Sequence, residues 1–449
     1  MKTLSLKKKA VFLIVNVSVL LISLLGCQDI TSSNYVSSNS SEQIEPKPDY
    51  GVFSKNDFLK VSGTKIKKDY GKGDSLILRG TNAGGYLVIE QWMCAVKGSE
   101  KTGYLDHKKM TDVFVEKFGK EKTLQLWEYY RENYWTDYDF DNCAKMGMNV
   151  IRLPFSYMSV DPEFNNVREI KGQKYNFSIL DDFVSKAAQY GIYTILDMHG
   201  AYGSQNGQDH SGQTFSSADQ VDFYENSEKK AKTVALWKAI ANHFKDNPAV
   251  AGYDILNEPG EKAGSTTKKH WDFFDEVYDA IREVDNDHVV IFESCWDGVN
   301  LPQPSEYGWQ NCMYSFHNYS GETDADKNLA SMQNKINGVE KMNFNVPFYM
   351  GEFNCYGSAD SWKQTLSYFN SKGWHWTSWT YKLNRKTDAA YPGWGIYYSR
   401  AELVVPDEDT YDSILEKWYR IDTAYETVEK MRFNETETLE KIMAKFCQQ

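Results

Sequence analysis

The segment GYDILNEP, residues 252–259, contains the pattern that decides the fold. Its apolar residues predict a buried strand. Pro259 predicts the end of that strand, because proline lacks a backbone donor and disfavours helix at the residue before it. Asn257 and Glu258 are therefore expected at a strand's carboxyl end. For an isolated Asn-Glu-Pro, a loop with two solvated polar side chains is the simpler interpretation, so the rest of the chain has to decide.

A short apolar run that ends near polar residues occurs eight times along the chain. The runs are SLILRGTN (75–82), NVIRLPFS (149–156), YTILDMHG (193–200), VAGYDILNE (250–258), VVIFESCWD (289–297), CMYSFHNY (312–319), PFYMGEFN (347–354) and WHWTSWTYK (374–382). Amphipathic segments lie between most of them, at 181–191, 228–245, 270–285, 324–338 and 360–373, and Gly191, Gly338 and Gly373 stand where helices should end. Parallel strands joined by crossover helices produce this alternation.

The alternation predicts an α/β fold of the (β/α)8 TIM barrel type. The alternative, an open doubly wound sheet, would need a glycine-rich phosphate loop after its first strand, and RGTNAGGYL at 79–87 does not fit G-x-G-x-x-G.

Residues 51–74 are expected to form an N-terminal hairpin that closes the barrel bottom. The long first crossover, 83–148, has a helical pattern at 111–133 and predicts extended loops on the C-terminal face. For 383–449, a last helix alone and an added element both remain open.

The first 26 residues have the composition of an export signal. Lysines at positions 2, 7, 8 and 9 precede the apolar run AVFLIVNVSVLLISLLG at 10–26. That run is shorter than the roughly 20 residues a spanning helix needs. It leads into Cys27 through Leu-Leu-Gly, which resembles the lipobox of bacterial lipoproteins. Cys27 is therefore the expected lipidated N-terminus of the mature chain, with an uncleaved anchor as the alternative.

Residues 27–50 are polar, serine-rich and without periodicity, as expected of a flexible linker. The predicted organisation is a lipoprotein signal peptide at 1–26, the lipidated Cys with its linker at 27–50, and one catalytic barrel domain at 51–449. We expect an exported protein, a monomer, held at a bacterial cell surface through the lipid anchor alone or released from it.

Charge and cysteine usage exclude several classes of function. The formal net charge is −12, and it becomes more negative once the lysines of the leader are removed. Without basic blocks, such a chain is a poor binder of nucleic acid. The cysteines after Cys27 show no CxxC or Cys/His spacing, so neither a metal site nor a cofactor is expected. Disulfides are permitted by their even number, although Cys295 and Cys312 should lie at opposite ends of adjacent strands and are not expected to pair.

Polar side chains gather at the carboxyl ends of the predicted strands. They are Arg152, Asp197, His199, Asn257, Glu258, His317, Tyr319, Glu352 and Trp379. Barrel enzymes build their sites at this face from several strand ends. A shared site explains the gathering better than unrelated solvated residues do.

Two of these residues are carboxylates that should face each other. Glu258 ends the fourth strand and Glu352 the seventh, so they lie across a closed barrel from one another. Paired carboxylates without a metal-ligand cluster suggest glycoside hydrolysis, in which one is held protonated and the other ionised. Arg152 and Tyr319 are suited to holding one carboxylate charged. Asn257 and Trp379 would supply an amide for a sugar hydroxyl and an aromatic face below the ring.

These residues in this order resemble glycoside hydrolase family 5, a family of retaining barrel enzymes. The resemblance implies that Glu258 is the acid/base, that Glu352 is the nucleophile, and that Asn257 binds the 2-hydroxyl. It covers nearly all of 75–382 and includes NVIRLPFS, LDMHG, Asn-Glu-Pro, FHNY and GEF. Arg152, His199, His317, Tyr319 and Trp379 fill the remaining substrate-binding positions.

Two further segments are similar to the exo-1,3-β-glucanase branch of that family. RGTNAGGYLVIE at 79–90 is similar to its RGxNLGGWLxxE segment, and GSQNGQDHSG at 203–212 to its GSQNGxDxSG loop. The resemblance implies a β-glucan substrate, a pocket closed by loops, and Glu90 as a hydroxyl ligand. Tyr86 stands where that branch has Trp, so exo and endo action and the glucan linkage both stay open.

Two rival functions also follow from the sequence, and several residues can be assigned structural roles instead of functional ones. The chain could act on cellulose, mannan, xylan or a glycolipid, or it could be a glycan-binding lipoprotein without activity, although the paired glutamates argue against that. Asp197 is expected to satisfy buried donors and His210 to be solvated. The residues open to either a core role or a sugar-platform role are Trp92, Trp135, Trp237, Trp271, Trp296, Trp309 and Trp394.

Overall fold

The computed structural model describes residues 50–448 apart from 162–163, 165–173, 262–263, 357, 385–392, 420, 422–427, 432 and 434–436. The predicted signal peptide and Cys27, and the linker apart from its last residue, lie outside this range. Within it, no helix combines the length and the apolar character needed to cross a membrane.

An N-terminal antiparallel sheet precedes the barrel. It consists of β1 (Lys60–Ser62), β2 (Lys65–Lys67) and β3 (Ser75–Leu76), in that order. Leu59 and Ile66 are buried in one apolar cluster with Val150, Tyr193 and other residues of the barrel strands. The predicted hairpin is therefore confirmed, with a third strand added to it.

Eight parallel strands close into a barrel, as predicted. They are β4 (Arg79–Asn82), β5 (Val150–Ser156), β6 (Tyr193–Gly200), β7 (Val250–Asp254), β8 (Val289–Glu293), β9 (Cys312–Asn318), β10 (Phe348–Phe353) and β11 (His375–Ser378). They pair in chain order, and β11 closes the ring against β4 through Ser378 and Thr81. Nearly every residue in them is buried, because side chains fill the interior and helices cover the outside.

Gly252, in the segment 252–259, allows two barrel strands to approach closely. A Cβ at this position would lie 2.7 Å from the carbonyl oxygen of Val289, on the neighbouring strand β8. Glycine is therefore required for β7 to pair with β8 at this point.

Several predicted strands are longer than the observed ones, among them the run 289–297, which stops as a strand at Glu293. The run 75–82 is two strands, because Ile77 and Leu78 pass from the N-terminal sheet to the barrel with their backbone groups bonded to the side chains of Asn149 and His375. The run 250–258 stops as a strand at Asp254, and the run 374–382 at Ser378. Asn257, Glu258 and Trp379 thus lie just beyond strand ends.

The helices alternate with the strands. The first crossover holds α1 (His107–Phe118), α2 (Lys120–Tyr134) and α3 (Asp137–Lys145), followed along the chain by α4 (Ser178–Gln189), α5 (Ser227–Phe244), α6 (Lys268–Arg282), α7 (Pro304–Tyr307), α8 (Ala325–Glu340) and α9 (Ala359–Lys372). The pattern at 111–133 is two helices, divided at Gly119 with φ of 81°. Gly191 and Gly373 follow helix ends as predicted, whereas Gly338 lies inside α8, so that prediction is wrong.

The C-terminal region contains more than a last helix. It adds a small sheet of β12 (Lys382–Asn384), β13 (Tyr397–Ser399) and β14 (Val428–Lys430), together with α10 (Tyr411–Trp418) and α11 (Leu439–Cys447). Helix α11 packs against α9, and α10 packs against α2. The fully buried Lys382 ties the added sheet to the first crossover through Asp139, at 3.2 Å.

The six cysteines of the described residues are buried free thiols. Cys295 and Cys312 are among them, in agreement with the expectation that they do not pair. Packing, hydrogen bonds and ion pairs hold the described residues together, with no disulfide among them.

Candidate active site

A cavity of about 200 Å³ opens at the carboxyl ends of the barrel strands. Its lining residues are Glu90, Trp92, His199, Asp209, His210, Asn257, Glu258, Trp296, Tyr319, Glu352, Trp379 and Trp394. The structure thus brings together most of the residues predicted from the strand ends. Arg152 and His317 lie directly behind this lining and contact its carboxylates.

The guanidinium of Arg152 is completely buried and joins several elements. It donates to Glu352 Oε1 at 2.7 Å, to Asp254 Oδ2 at 2.8 Å and to Asn257 Oδ1 at 2.9 Å, and it lies 3.1 Å from Asp197 Oδ1. Burial alone would lower the pKa of Arg152, but the carboxylates of Asp197, Asp254 and Glu352 raise it well above its usual value. Arg152 therefore remains a cation throughout, as an interior partner of several acids.

The acids around this single cation do not all ionise together. Burial raises the pKa of Asp197 to about 7, against the opposing effect of Arg152, and it raises the pKa of Asp254 to the same value. Asp197 also accepts a hydrogen bond from His199 Nδ1 at 2.6 Å, which confirms its predicted role in satisfying buried donors.

Glu352 has a donor on each carboxylate oxygen. Arg152 contacts Oε1, and the Tyr319 hydroxyl donates to Oε2 at 2.8 Å, so both predicted partners are in place. Burial raises the pKa of Glu352, while Arg152, His199 and Tyr319 act to lower it. These contacts stabilise the carboxylate anion at this position.

Glu258 lies in a different environment. Its Oε1 is 2.9 Å from His317 Nδ1, its Oε2 is 3.1 Å from His210 Nε2, and its backbone N–H donates to Glu293 Oε1 at 3.0 Å. Burial and the neighbouring Glu352 raise its pKa well above the usual value. With no cationic side chain in hydrogen-bond contact among the described residues, Glu258 is the carboxyl that favours its protonated form.

The two glutamates lie close together across the cavity. Side-chain oxygens of Glu258 and Glu352 and a ring nitrogen of His317 all lie within 4.8 Å of one another. His317 Nδ1 is also 3.5 Å from Glu352 Oε2, so the imidazole stands between the two acids. Burial lowers the pKa of His317 well below its usual value, which keeps the ring neutral.

In the segment that carries Glu258, the backbone N–H groups of Ile255 and Asn257 still donate to the neighbouring barrel strands, whereas side chains satisfy the carbonyls. The carbonyl of Ile255 accepts from Trp237, those of Asn257 and Glu258 accept from the side-chain amides of Gln205 and Asn206, and that of Pro259 accepts from Tyr224. Gln205 and Asn206 belong to the GSQNGQDHSG loop. The loop therefore fixes the backbone from which Glu258, with φ of 39°, enters the cavity.

Asn257 presents a free donor to the cavity. Its Oδ1 accepts from Arg152, which fixes the amide orientation and directs Nδ2 away from the guanidinium. Among the described residues, Nδ2 has no hydrogen-bond partner although the side chain is buried. A buried donor without a partner is costly, and a ligand hydroxyl would satisfy it.

Glu90 presents an acceptor of the same kind. Its Oε2 accepts from Trp92 Nε1 at 2.7 Å, while its buried Oε1 has no partner among the described residues. Burial and the neighbouring Asp209 raise the pKa of Glu90 well above its usual value. A free carboxyl oxygen at the cavity wall is suited to a hydroxyl of a bound ligand.

Aromatic rings form much of the remaining wall. Trp379 stacks on His199 with ring centroids 5.4 Å apart and an interplanar angle of 5°, and Trp394 contacts Trp92, Tyr319 and Tyr356. Of the tryptophans left open by the sequence, Trp92, Trp296 and Trp394 line the cavity. The others pack within or against the hydrophobic core: Trp135, Trp237, Trp271 and Trp309.

The structure corrects one prediction and adds residues that the sequence reasoning missed. His210 was expected to be solvated, but its side chain is only 20% exposed and lies against Glu258. Asp254 and Glu293 end strands β7 and β8 and contact Arg152 and Glu258, respectively. Polar residues at the ends of the other predicted strands identified their site residues, and the same pattern would have identified Glu293.

Two groups of carboxylate and imidazole side chains have the spacing of metal ligands. They are Glu90, Asp209 and His210, and Glu258, His317 and Glu352. Hydrogen bonds already engage Asp209 through Tyr104, His210 through Asn206, and Glu352 through Arg152 and Tyr319. Both are therefore hydrogen-bonded groups of carboxylate and imidazole side chains.

The chain is similar in sequence to a known protein family and to several known proteins. The family model described as cellulase, glycosyl hydrolase family 5, matches residues 111–385. The chain is 34% identical over 266 residues to a β-xylosidase of Phanerodontia chrysosporium, covering 59% of this chain and 52% of that protein. It is 26% identical over 288 residues to a probable glucan 1,3-β-glucosidase A of Aspergillus fumigatus, covering 62% of this chain and 65% of that protein. The chain thus spans about half to two thirds of the length of these relatives.

The fold is also similar to a solved structure. The rutinosidase from Aspergillus niger matches with a TM-score of 0.52 and 17% identity, covering 76% of this chain and 98% of that chain. At this identity the likeness concerns the fold. Together with the closed ring of eight strands, it confirms the predicted TIM barrel.

Replacing Arg152 with Met should destabilise the protein strongly. Removing one member of a buried ion pair costs about 3–5 kcal/mol, because the remaining charges lose their partner. We expect the free energy of unfolding to fall by about that amount, as measured by urea denaturation followed by tryptophan fluorescence. Lys268→Met, in the exposed pair with Asp272 on α6, is the control and should leave stability unchanged. An Arg152→Met variant as stable as the parent would contradict this description of the site.

Proposed function

The chain belongs to glycoside hydrolase family 5, and on that premise we propose that it is a retaining glycosidase acting on a β-glucan. The observation that carries the proposal is the close approach of Glu258 and Glu352, with side-chain oxygens within 4.8 Å of each other. Retaining glycosidases have carboxyl groups about 5–5.5 Å apart, whereas inverting enzymes leave about 6.5–9.5 Å for a water molecule between them.

In the first step, Glu352 attacks the anomeric carbon as the glycosidic bond breaks. Arg152 and Tyr319 keep Glu352 ionised before the attack. Glu258, held protonated by its buried surroundings, donates its proton to the departing oxygen, so that the leaving group departs as a neutral alcohol. The products of this step are a glycosyl ester on Glu352 and an ionised Glu258.

In the second step, water replaces the leaving group. The carboxylate of Glu258 removes a proton from that water, the water oxygen attacks the anomeric carbon, and the bond to Glu352 breaks. Glu352 returns to its carboxylate form and Glu258 to its acid form. Two displacements at one carbon retain its configuration.

Side chains around the two glutamates would hold the sugar. The free Nδ2 of Asn257 is proposed to donate to the 2-hydroxyl, and the free Oε1 of Glu90 to accept from a more distant hydroxyl. Trp379, held by stacking on His199, would lie below the ring. His317 and Tyr319 complete the set by positioning the two carboxyl groups.

The cavity favours a neutral sugar at a chain end. Four of its lining residues carry carboxyl groups, and its described lining contains no lysine or arginine, so an acidic sugar would be repelled. A volume of about 200 Å³, bounded by Glu90, Trp92 and Trp394, is suited to a short end of a glycan. One curated relative is named a glucan 1,3-β-glucosidase, which supports β-1,3-glucan as the substrate, and the other is named a β-xylosidase, which makes a β-xyloside the second candidate.

A substrate panel with product sizing tests this assignment. We expect glucose to be released stepwise from laminarin and expect no cleavage of a β-linked uronic acid polymer, because the acidic cavity repels it. A ladder of oligomers from cellulose, mannan or xylan would indicate an endo-acting enzyme instead, and faster cleavage of aryl β-xyloside than of aryl β-glucoside would favour the second candidate. Tight binding of a glycan without any cleavage would contradict enzymatic activity.

Isosteric substitutions test the two catalytic roles. Glu352→Gln should lower kcat on an aryl β-glucoside by about 10⁴-fold, because the nucleophile is lost. Glu258→Gln should lower kcat/KM by about 10²–10⁴-fold for glucosides with poor leaving groups. The loss should be far smaller for a 2,4-dinitrophenyl glucoside, because 2,4-dinitrophenolate leaves without a proton. The matched control is Glu228→Gln, on the exposed face of α5, with unchanged rates. A Glu352→Gln enzyme that keeps most of its turnover would disprove the assignment of Glu352 as the nucleophile.

The N-terminal residues support a further proposal about location. We propose that the protein is exported as a monomer and anchored through lipid at Cys27, on the basis of the lipobox-like sequence that precedes this residue. Cells that express the full chain with labelled palmitate should yield a labelled protein in the membrane fraction. Cys27→Ala should abolish the label. Label that persists in Cys27→Ala, or a parent protein without label, would contradict the lipid anchor.

A further inference from the structure

A second cavity lies between helices α1 and α2 of the first crossover and the segments that follow β4 and β5. Its wall includes Tyr86, Thr111, Arg131 and Ser159, one from each of these elements. The centre of a water-sized sphere has about 20 Å³ of room there, and roughly 10–15 Å³ is enough for one particle of that size. This cavity and the active-site cavity share no lining residue, so the proposed mechanism gives it no task.

Arg131 brings a positive charge to this cavity without a counter-charge in contact with it. Among the described residues, its guanidinium has neither a hydrogen-bond partner nor an ion pair, and Tyr86, Glu128 and Glu132 act on it only from a distance. Burial lowers the pKa of Arg131 against the effect of these three residues, yet arginine stays protonated in proteins. A buried cation without a partner is costly, because it has lost hydration and gained no protein contact in exchange.

The hydroxyl of Tyr86 is a second donor at the same cavity. It forms no hydrogen bond with any described residue, and Arg131 is near enough to affect it. Burial raises the pKa of Tyr86 to about 12, although Arg131 acts to lower it, so the hydroxyl keeps its proton. The ring packs against Phe183 with centroids 5.4 Å apart, which limits its movement. This hydroxyl distinguishes the chain from the exo-1,3-β-glucanase branch, which has Trp where Tyr86 stands.

His107, the first residue of α1, contributes an imidazole to the wall. The side chain is 8% exposed, and its Nδ1 has no hydrogen-bond partner in the described part of the chain. Burial lowers the pKa of His107 to about 4, and Arg131 acts in the same direction because the cation lies near the ring. The imidazole is therefore neutral at physiological pH, and it supplies no negative charge to Arg131.

The other polar side chains of the wall are already engaged. The hydroxyl of Thr111 donates to the carbonyl of His107 at 2.8 Å and accepts from Trp127 Nε1 at 3.2 Å. The hydroxyl of Ser159 donates to the carbonyl of Leu87 at 3.2 Å. The described wall contains no aspartate or glutamate, so no side chain in it neutralises the guanidinium.

We propose that this cavity binds one small monovalent anion of halide size, held between the guanidinium of Arg131 and the hydroxyl of Tyr86. A water molecule there would leave the charge of Arg131 uncompensated, whereas an anion accepts from both donors and supplies the missing charge. Arg131 lies on α2, and Tyr86 begins the segment that leads to Glu90. The bound anion therefore joins the first crossover to the segment behind the active-site wall. The inference goes beyond the proposed function and does not depend on it.

Thermal unfolding of the purified protein tests the binding. Halide is first removed by dialysis against sodium methanesulfonate, whose anion is too large for the cavity, and sodium chloride is then added at constant ionic strength. An anion that binds only the folded protein raises the unfolding midpoint with a single-site dependence that levels off, and we expect a rise of about 2–4 °C at saturation. A midpoint that does not change with chloride would overturn the proposal.

Substitutions locate the response within the protein. Arg131→Met should abolish the chloride effect, and in halide-free buffer its midpoint should be no lower than that of the parent, because an unpartnered cation adds no stability. Tyr86→Phe should raise the chloride concentration of the half-maximal response by about tenfold, since one donor to the anion is lost. The control is Arg282→Met, which removes a guanidinium bonded to the carbonyls of Asp285 and His288 and should lower the midpoint without changing the chloride effect.

Two results with Arg131→Met would contradict the site. A retained chloride effect would mean that the anion binds elsewhere. A midpoint lowered equally with and without chloride would mean that Arg131 has a purely structural role.

Diffraction from the parent protein gives an answer that depends on no variant. Crystals grown without halide are soaked in sodium bromide, and the anomalous scattering of bromine locates the anion. We expect a bromide peak in contact with the Arg131 guanidinium and the Tyr86 hydroxyl. Water alone at that position would overturn the proposal. Because neither measurement uses glycoside cleavage, a failure of the proposed function would leave this test intact.

Discussion

The guanidinium of Arg152 donates to Glu352, Asp254 and Asn257, which come from strand β10, strand β7 and the segment after β7. Because the guanidinium is planar and its donors have fixed directions, these contacts fix the relative positions of the three elements. The same interaction favours the carboxylate form of the proposed nucleophile against the effect of burial on its pKa, and it orients the amide of Asn257. Without this buried cation, several acids would share the barrel interior without a counter-charge.

The opposite tasks proposed for two glutamates a few ångströms apart follow from the difference in their surroundings. Glu352 receives hydrogen bonds from a cation and a phenol, whereas Glu258 contacts two neutral imidazoles and the glutamate opposite. The first environment stabilises an anion and the second an acid. The loop that bears Asn206 and His210 affects both the backbone and the carboxyl group of Glu258. It therefore contributes both to the wall of the cavity and to the position of the residue within it.

Much of this arrangement could be predicted from the sequence because it depends on strand periodicity. The eight runs identify the barrel, and polar residues at their ends identify the face on which Arg152, Glu258 and Glu352 meet. Asp254 was missed. A charged residue inside a buried apolar run must have a partner, so its position in the sequence was a usable signal. His210 and Asn206 could not be placed, since loop residues have no periodicity and their contacts exist only after the loop folds back. For the C-terminal region the sequence left a last helix and an added element both open, because three-residue strands give no alternation to detect.

The central claim is that Glu352 forms a bond to the sugar and that water later replaces it with net retention at the anomeric carbon. The most direct test is ¹H NMR of the sugar released from a β-glucan during the first minutes of hydrolysis, before mutarotation mixes the anomers. The account predicts that the β anomer appears first and the α anomer only later, at the rate of mutarotation. Initial release of the α anomer would contradict it, because a single displacement by water would then have taken place.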